Sequence, residues 1–281
     1  MIHLFNFADE RFKTAQHNSS RRAIEIGGVD KVWEFSPEDI LEDFKLKNSS
    51  IFSNKRGYGL WLWKPYFIDK LLNTLPEGDI LIYSDAGVSF IRNVRPLIDV
   101  LNKTNDGLLF FGLPLLDIEW TKKETFIEAN YTPSESDCQV DGSFFLIKVC
   151  DKARLIVKEW LDLSQNEVAL SPEIFNAEIK NYYGFQSHRE DQSTLSIVLH
   201  RNQIELYRDP SDYGEFPFQY KNSKWTFAPL KYTNSPYPTI TIHHRGASIH
   251  KYLNSYRIKH YLSKARLWNQ FICNLKNKIK I

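Results

Sequence analysis

Short apolar runs alternate with longer amphipathic stretches through the first half of the chain, the pattern of strands joined by helical crossovers. Residues 2–7 read as a first strand, and the spacing predicts a helix over 12–26 that stops at Gly27 and Gly28, where glycine admits a left-handed cap. Residues 31–35 form the second strand. Ser36-Pro37-Glu38-Asp39 then carries the chemistry of a helix start: a capping hydroxyl, a first-turn proline and acids at the positive end of the dipole. A glycine and aromatic cluster from Arg56 to Tyr66 opens a helix over 66–75, closed by Pro76-Glu77-Gly78. The clearest strand, 79–83, runs directly into Ser84-Asp85-Ala86-Gly87. Further strands are predicted over 108–113, 143–149 and 239–243, with helices over 151–163 and 191–200. There is no internal repeat and no low-complexity segment.

This order predicts an α/β fold, a mixed sheet flanked by helices over residues 1–250, followed by a basic amphipathic helical tail over 251–281. A length of 281 residues suffices for one large domain with its own core. At 42% hydrophobic and 25% charged residues the chain is neither disordered nor fibrous. Aromatic content is high at 14%, which supplies core and also rings able to stack on a sugar or a base.

Charge changes the picture more. The net value of +2 hides a segregation: the last acid is Glu215, and the residues after it carry 12 Lys and Arg. The first 215 residues hold 24 basic against 34 acidic side chains. A basic tail attracts phosphates or anionic lipid, and its apolar members, among them Tyr252, Tyr256, Tyr261, Leu262 and Trp268, suit an interfacial helix. Nucleic acid would explain the charge as well, but no nucleic-acid motif accompanies it, so no nucleic-acid partner is expected. Cys138, Cys150 and Cys273 are odd in number and unrelated in spacing, which points to a reducing compartment, the cytoplasm. The N-terminus lacks the character of a secretory leader, and apolar stretches such as 107–116 fall short of the roughly 20 residues that span a bilayer. Membrane association, on this reading, is peripheral, on the inner face.

Four polar islands can carry chemistry. Asp85 stands at the carboxyl end of a strand, where open α/β sheets bind ligands, with small neighbours Ser84, Ala86 and Gly87 that let phosphates approach a carboxylate or its cation. Asp141 and Gly142 precede an apolar strand, where a glycine backbone can lie close to a sugar. His188, Arg189, Glu190, Asp191 and Gln192 crowd the start of a helix beyond what capping needs, and they suit hydroxyl binding, base catalysis or stabilisation of a cationic centre. His243, His244 and Arg245 end a late strand, two imidazoles for a metal and a guanidinium fork for a diphosphate. Each island alone is what a turn or cap would also produce.

In this order the islands resemble the nucleotide-diphospho-sugar transferases of the GT-A fold, and more narrowly the retaining family related to glycogenin, with its Asp-x-Asp, Asn-Ser-Gly, Asp-Gln-Asp and late His-x-x-Gly motifs. The block GYGLWLWKPYFIDKLL with GDILIYSDAG is similar to bacterial capsule and lipopolysaccharide glycosyltransferases. The resemblance spans about residues 1–250. It implies a hexosyltransferase of retaining chemistry that uses a nucleotide diphosphate sugar, a glycan or lipid-linked acceptor and a divalent cation, Mn²⁺ or Mg²⁺. Inverting chemistry and a non-catalytic carbohydrate-binding protein are the alternatives. Carried over, Asp191, Gln192 and Glu190 would be catalytic, and His188 and Arg189 would meet the acceptor. Asp85, Ser84, Gly87, Lys64, Tyr58, Asp141, Gly142 and Arg245 would bind the donor. Asp85 with His243 or His244 would hold the metal. Gly87 replaces the family's second Asp. Either water completes the metal shell, or Arg245 and Lys64 carry the diphosphate with little metal. Arg11 and Lys13 would lie near the nucleotide.

Overall fold

The computed structural model of the chain describes residues 1–216, 232–244, 249 and 251–262. The chain divides into two units, 1–242 and 243–281.

In the first unit, strands β1 (Ile2–Phe7), β2 (Lys31–Phe35) and β3 (Ile80–Ser84) are parallel, with β1 between the other two. A short β4 (Val88–Phe90) follows. Strand β5 (Leu108–Leu116) runs antiparallel to β6 (Cys138–Val140) and β7 (Phe144–Lys148), and β7 also pairs antiparallel with β3. Strand β8 (Leu206–Arg208) adds to β5 in parallel. The result is a mixed seven-stranded sheet, and β4 forms a separate two-stranded sheet with β9 (Thr241–His243).

Period-two alternation builds a core on each face. Phe5 and Phe7 of β1 and Leu81 and Tyr83 of β3 join one cluster, while Leu4, Ile80 and Ile82 join the other. The first face is covered by helices α2 (Trp63–Leu72), α4 (Asp151–Ser164) and α5 (Glu190–Arg201), through Phe67, Trp160 and Leu195 among others. The second is covered by α1 (Lys13–Arg22), its π-helical continuation Ala23–Gly27 and α3 (Arg95–Leu101). Gly28 closes that segment at φ 76°, and a Cβ there would stand 2.3 Å from the Asn93 amide nitrogen, so a glycine is required.

The expected elements are present with ends moved by a few residues. The helix expected over 66–75 begins at Trp63, three residues earlier. Ser36 and Asp39 do form a capping box, but on a single 3₁₀ turn, Pro37–Asp39. Strands β4, β6 and β8 were not foreseen, because three residues are too few to display a period.

In the second unit residues 251–262 are helical. The Tyr256 and His260 rings lie 5.8 Å apart on successive turns, and Ile258, Tyr261 and Leu262 are exposed. Arg245, Trp268 and Cys273 lie outside the described residues. Among the described residues no helix is long and apolar enough to cross a membrane.

Candidate active site

Register alone brings two of the polar islands together. Ser84 of β3 is paired with Phe144 of antiparallel β7, so the residue after β3 and the turn before β7 emerge at the same edge of the sheet. The Asp85 amide donates to the Ser143 carbonyl at 2.8 Å accordingly. Asp85 also accepts a short hydrogen bond from the Tyr83 hydroxyl. Burial, then the Asp85 charge, raise the Tyr83 pKa well above its usual value, so the phenol remains a donor. Beside it, a Cβ on Gly87 would meet nothing within 4 Å, which leaves open space next to the carboxylate. Ser84 itself is fully buried.

Lys64 joins this edge to helix α5. Its ammonium, 3% exposed, donates to the Gly142 carbonyl at 2.7 Å and to Asp191 Oδ2 at 2.5 Å. Burial works against the ammonium, but the carboxylates of Asp191 and Asp85 outweigh it and hold the Lys64 pKa above normal. The Asp191 carboxyl is pushed up to about 6 by burial, against the pull of Lys64. Both groups are therefore charged at neutral pH.

A cleft of about 360 Å³ opens over this pair, lined by Arg56, Trp61, Lys64, Asp85, Gly142, Ser143 and residues 187–192. Its wall is an unusual piece of backbone. Gly57, Tyr58, Gly59, Leu60 and Trp61 all have positive φ, from 50° to 79°. Three of these are not glycine, and such a conformation costs of order 1–3 kcal/mol per residue unless the surroundings enforce it. The two glycines show how it is enforced. A Cβ on Gly57 would lie 2.3 Å from the Trp61 ring, and one on Gly59 would lie 2.5 Å from Phe52. The Trp63 indole, stacked on Phe7 with centroids 4.0 Å apart, clamps the turn by donating to the Gly57 carbonyl at 2.8 Å. Trp63 thus belongs to the core, whereas Trp61 faces the cleft with the Arg56 guanidinium 5.4 Å from its ring centre. Tyr58 packs near Phe7 and Phe52.

At the far side, Glu190 opens α5 at φ 42°, and Arg56 donates to its carboxylate at 2.7 Å. Burial raises the Glu190 pKa although Arg56 opposes it. Gln192 donates its amide NH₂ to Gln139 Oε1 at 2.7 Å. Arg189 lies over the Trp120 ring, 4.1 Å from its centre. The His188 imidazole is buried, with Nδ1 accepting from the Lys122 amide and Nε2 donating to the Leu170 carbonyl. Burial and the Lys122 charge push its pKa down to about 3, so it is a neutral ring engaged by backbone on both sides. Arg11 and Lys13 are exposed and pair with Asp9 and Glu10.

A carboxylate pair lies nearby. Asp141 follows β6 and Asp209 follows β8, two short strands that both pair with β5. Their carboxylate oxygens come within 4.8 Å. Asp141 Oδ1 accepts from the Ser143 amide and hydroxyl, at 2.9 and 2.6 Å. Its Oδ2 is buried without a hydrogen-bond partner, the state of an oxygen suited to a cation. Asp209 is held by the Ser211 amide and hydroxyl. Asp85 belongs to no such group of ligand-bearing side chains among the described residues. His243 is half-buried at the end of β9, and His244 follows it.

The structure brings Lys64, Asp85, Gly142 and residues 188–192 to one cleft, which Tyr58, Ser84, Gly87 and Asp141 do not line. Asp209 and Arg56 are given no role by the sequence, and Trp61 reads there as a core member of the aromatic cluster. Asp209 follows a strand too short to read, and only its place in Asp-Pro-Ser, a turn sequence, could have drawn notice.

No protein-family model and no curated protein matches the chain. Among solved structures it is similar to galactosyltransferase LgtC in complex with donor and acceptor sugar analogs, at 13% identity and a TM-score of 0.48, covering 88% of each chain. Mouse xyloside xylosyltransferase 1, apo form, gives 9% identity and 0.49, over 87% of this chain and 98% of that one. An active-site mutant of LgtC gives 14% and 0.48, again over 88% of each. These are distant likenesses of chain path.

Proposed function

We propose that the cleft transfers a hexose from a nucleotide diphosphate sugar to a glycan or lipid-linked acceptor. The observation that carries this reading is the buried Lys64 ammonium, held between the Gly142 carbonyl and the Asp191 carboxylate with Asp85 beside it. A fixed cation framed by carboxylates and a glycine turn, at the edge where the strands end, suits a pyrophosphate-bearing sugar. Asp191, Glu190 and Gln192 would face the donor sugar and the acceptor hydroxyl. They would favour the positive charge that develops on the sugar as the glycosidic bond exchanges. The indole of Trp61 and the guanidinium of Arg56 offer a face and a fork to the incoming ligand.

A divalent cation fits the carboxylate pair. Asp141, with its orphaned Oδ2, and Asp209 would hold it. Such a cation supplies neutralisation of charge on the leaving diphosphate. The motif order supports retaining over inverting chemistry. The basic tail supports an acceptor carried at an anionic membrane surface, on its cytoplasmic face.

The test is hydrolysis and transfer assayed with UDP-glucose, UDP-galactose, UDP-N-acetylglucosamine, UDP-xylose and GDP-mannose, with Mn²⁺ and with chelator. Release of nucleoside diphosphate from at least one donor, lost in Asp191→Asn, is expected, and NMR of the product anomer reports the stereochemistry. Absence of turnover together with no thermal shift by any of these donors would rule the transferase out.

A further inference from the structure

Behind the cleft, two fully buried polar side chains lead to Gln192. The Gln139 amide nitrogen donates to Asp117 Oδ1 at 2.5 Å and to the Thr121 hydroxyl at 2.9 Å, and the Gln139 carbonyl oxygen accepts from the Gln192 amide nitrogen. Asp117 and Gln139 are both inaccessible to solvent. The two ends of a glutamine amide have nearly the same shape, so packing does not choose between them; hydrogen-bond partners do. A carboxylate only accepts. Asp117 therefore demands the NH₂ end of Gln139, which leaves the carbonyl end for the next link. That carbonyl demands the NH₂ end of Gln192. The end of Gln192 left for the cleft is its oxygen. Reversing either amide sets like against like in a buried site and forfeits these hydrogen bonds. On its other side, Asp117 Oδ2 has His200 Nε2 at 3.3 Å.

We propose that Asp117, acting through Gln139, is a positioning residue that keeps the carbonyl oxygen of Gln192 turned toward the reacting carbon of the donor sugar. The inference rests on the transferase reading above. An oxygen lone pair at that point favours the positive charge of an oxocarbenium-like centre, whereas an NH₂ dipole opposes it. Asp117 itself touches neither donor nor acceptor.

Isosteric substitutions test the relay by swapping its polarity. Gln139→Glu keeps the acceptor for Gln192 but abuts a second carboxylate on Asp117. Asp117→Asn lets the Gln139 amide turn either way. The double variant D117N/Q139E restores the chain, with the new amide donating to the new carboxylate and the net charge unchanged. With the nucleotide sugars named above, each single variant is expected to lower kcat roughly 10- to 100-fold with KM little altered, as misplacement of a group does. The double variant should recover to within a few-fold of wild type. A second readout does not depend on turnover: the Gln192 side-chain NH₂, in ¹⁵N-labelled protein, should exchange slowly with water in the wild type and the double variant and quickly in Asp117→Asn. Wild-type turnover with undiminished singles, or singles that the double fails to rescue, overturns the relay. If no donor turns over in the wild type, the transferase reading fails while the exchange rates still decide the relay: slow exchange in Asp117→Asn overturns it.

Discussion

The Lys64 ammonium lies 2.5 Å from the Asp191 carboxylate with both groups almost wholly out of solvent, 127 positions apart in sequence. Each is the main compensation for the other, since burying either alone is costly. Lys64→Met should lower stability by about 3 kcal/mol, the scale for leaving one member of a buried pair behind. Adding Asp191→Asn should return a large part of that loss. Chemical denaturation of the two single variants and the double closes the cycle, and additive losses would show that the pair is not coupled.

Asp191 gives a pH signature in which activity and stability move in opposite directions. With its carboxyl at about 6, it loses charge as pH falls through that value, and the hold on Lys64 goes with it. The rate kcat/KM should therefore drop on the acid side of about pH 6. For stability the sign reverses: the folded value is above the unfolded one of about 3.9, so this group's contribution is fully present below pH 4 and is lost as pH rises through about 6. Asp191→Asn removes this titration, so the melting temperature of the variant should depend less on pH between about 4 and 7 than that of the wild type. An equal dependence would contradict the assignment.

Much of this was legible in the sequence because the signals were local. Asp85 directly follows an apolar strand, and residues 188–192 put more charge at a helix start than capping uses, so both stood out without knowledge of their neighbours. Lys64 could be read only as a basic residue near a helix start; that it is buried follows from the β3–β7 register, which carries the Gly142 carbonyl over to it. Asp209 was invisible because it follows a strand of only three residues and its proximity to Asp141 is a long-range fact of the fold. His188 stood out as a polar residue at the cleft, whereas its ring is committed to the Lys122 and Leu170 backbone, a long-range fact that no spacing reveals.

The left-handed run in the cleft wall should be intolerant of even one methyl group. At Gly59 φ is 79° and a new Cβ would press on the Phe52 ring, so conformation and contact both oppose alanine. Gly59→Ala should cost at least about 1–2 kcal/mol from backbone conformation, with the clash adding to it. The wall also carries Arg56, Trp61 and Lys64, so activity should fall further than the melting temperature alone explains. Gly78→Ala is the control: φ is 83° there too, but nothing lies within 4 Å of the added carbon and the position is remote from the cleft lining. Equal effects of the two substitutions on turnover would detach the wall from function.

Removal of metal ligands should separate the carboxylates by role. Asp141 Oδ2 is buried and has no hydrogen bond, so in the absence of a cation its charge is poorly solvated, and Asp141→Asn should be nearly neutral or stabilising in metal-free protein. With a cation bound the sign reverses. A ligand that binds only the folded state raises the melting temperature as its concentration exceeds the dissociation constant, by about 2.7 kcal/mol at a hundredfold excess. Millimolar Mn²⁺ should therefore stabilise the wild type measurably and do so much less in Asp141→Asn and Asp209→Asn. Asp85, held instead by the Tyr83 hydroxyl and the Ser143 carbonyl, forms part of the donor pocket in this reading. Asp85→Asn should retain the Mn²⁺ shift while losing the further shift produced by a nucleotide diphosphate sugar. If Asp85→Asn abolishes the metal shift and Asp209→Asn leaves it intact, the cation belongs at Asp85 and the Asp141–Asp209 pair has another purpose.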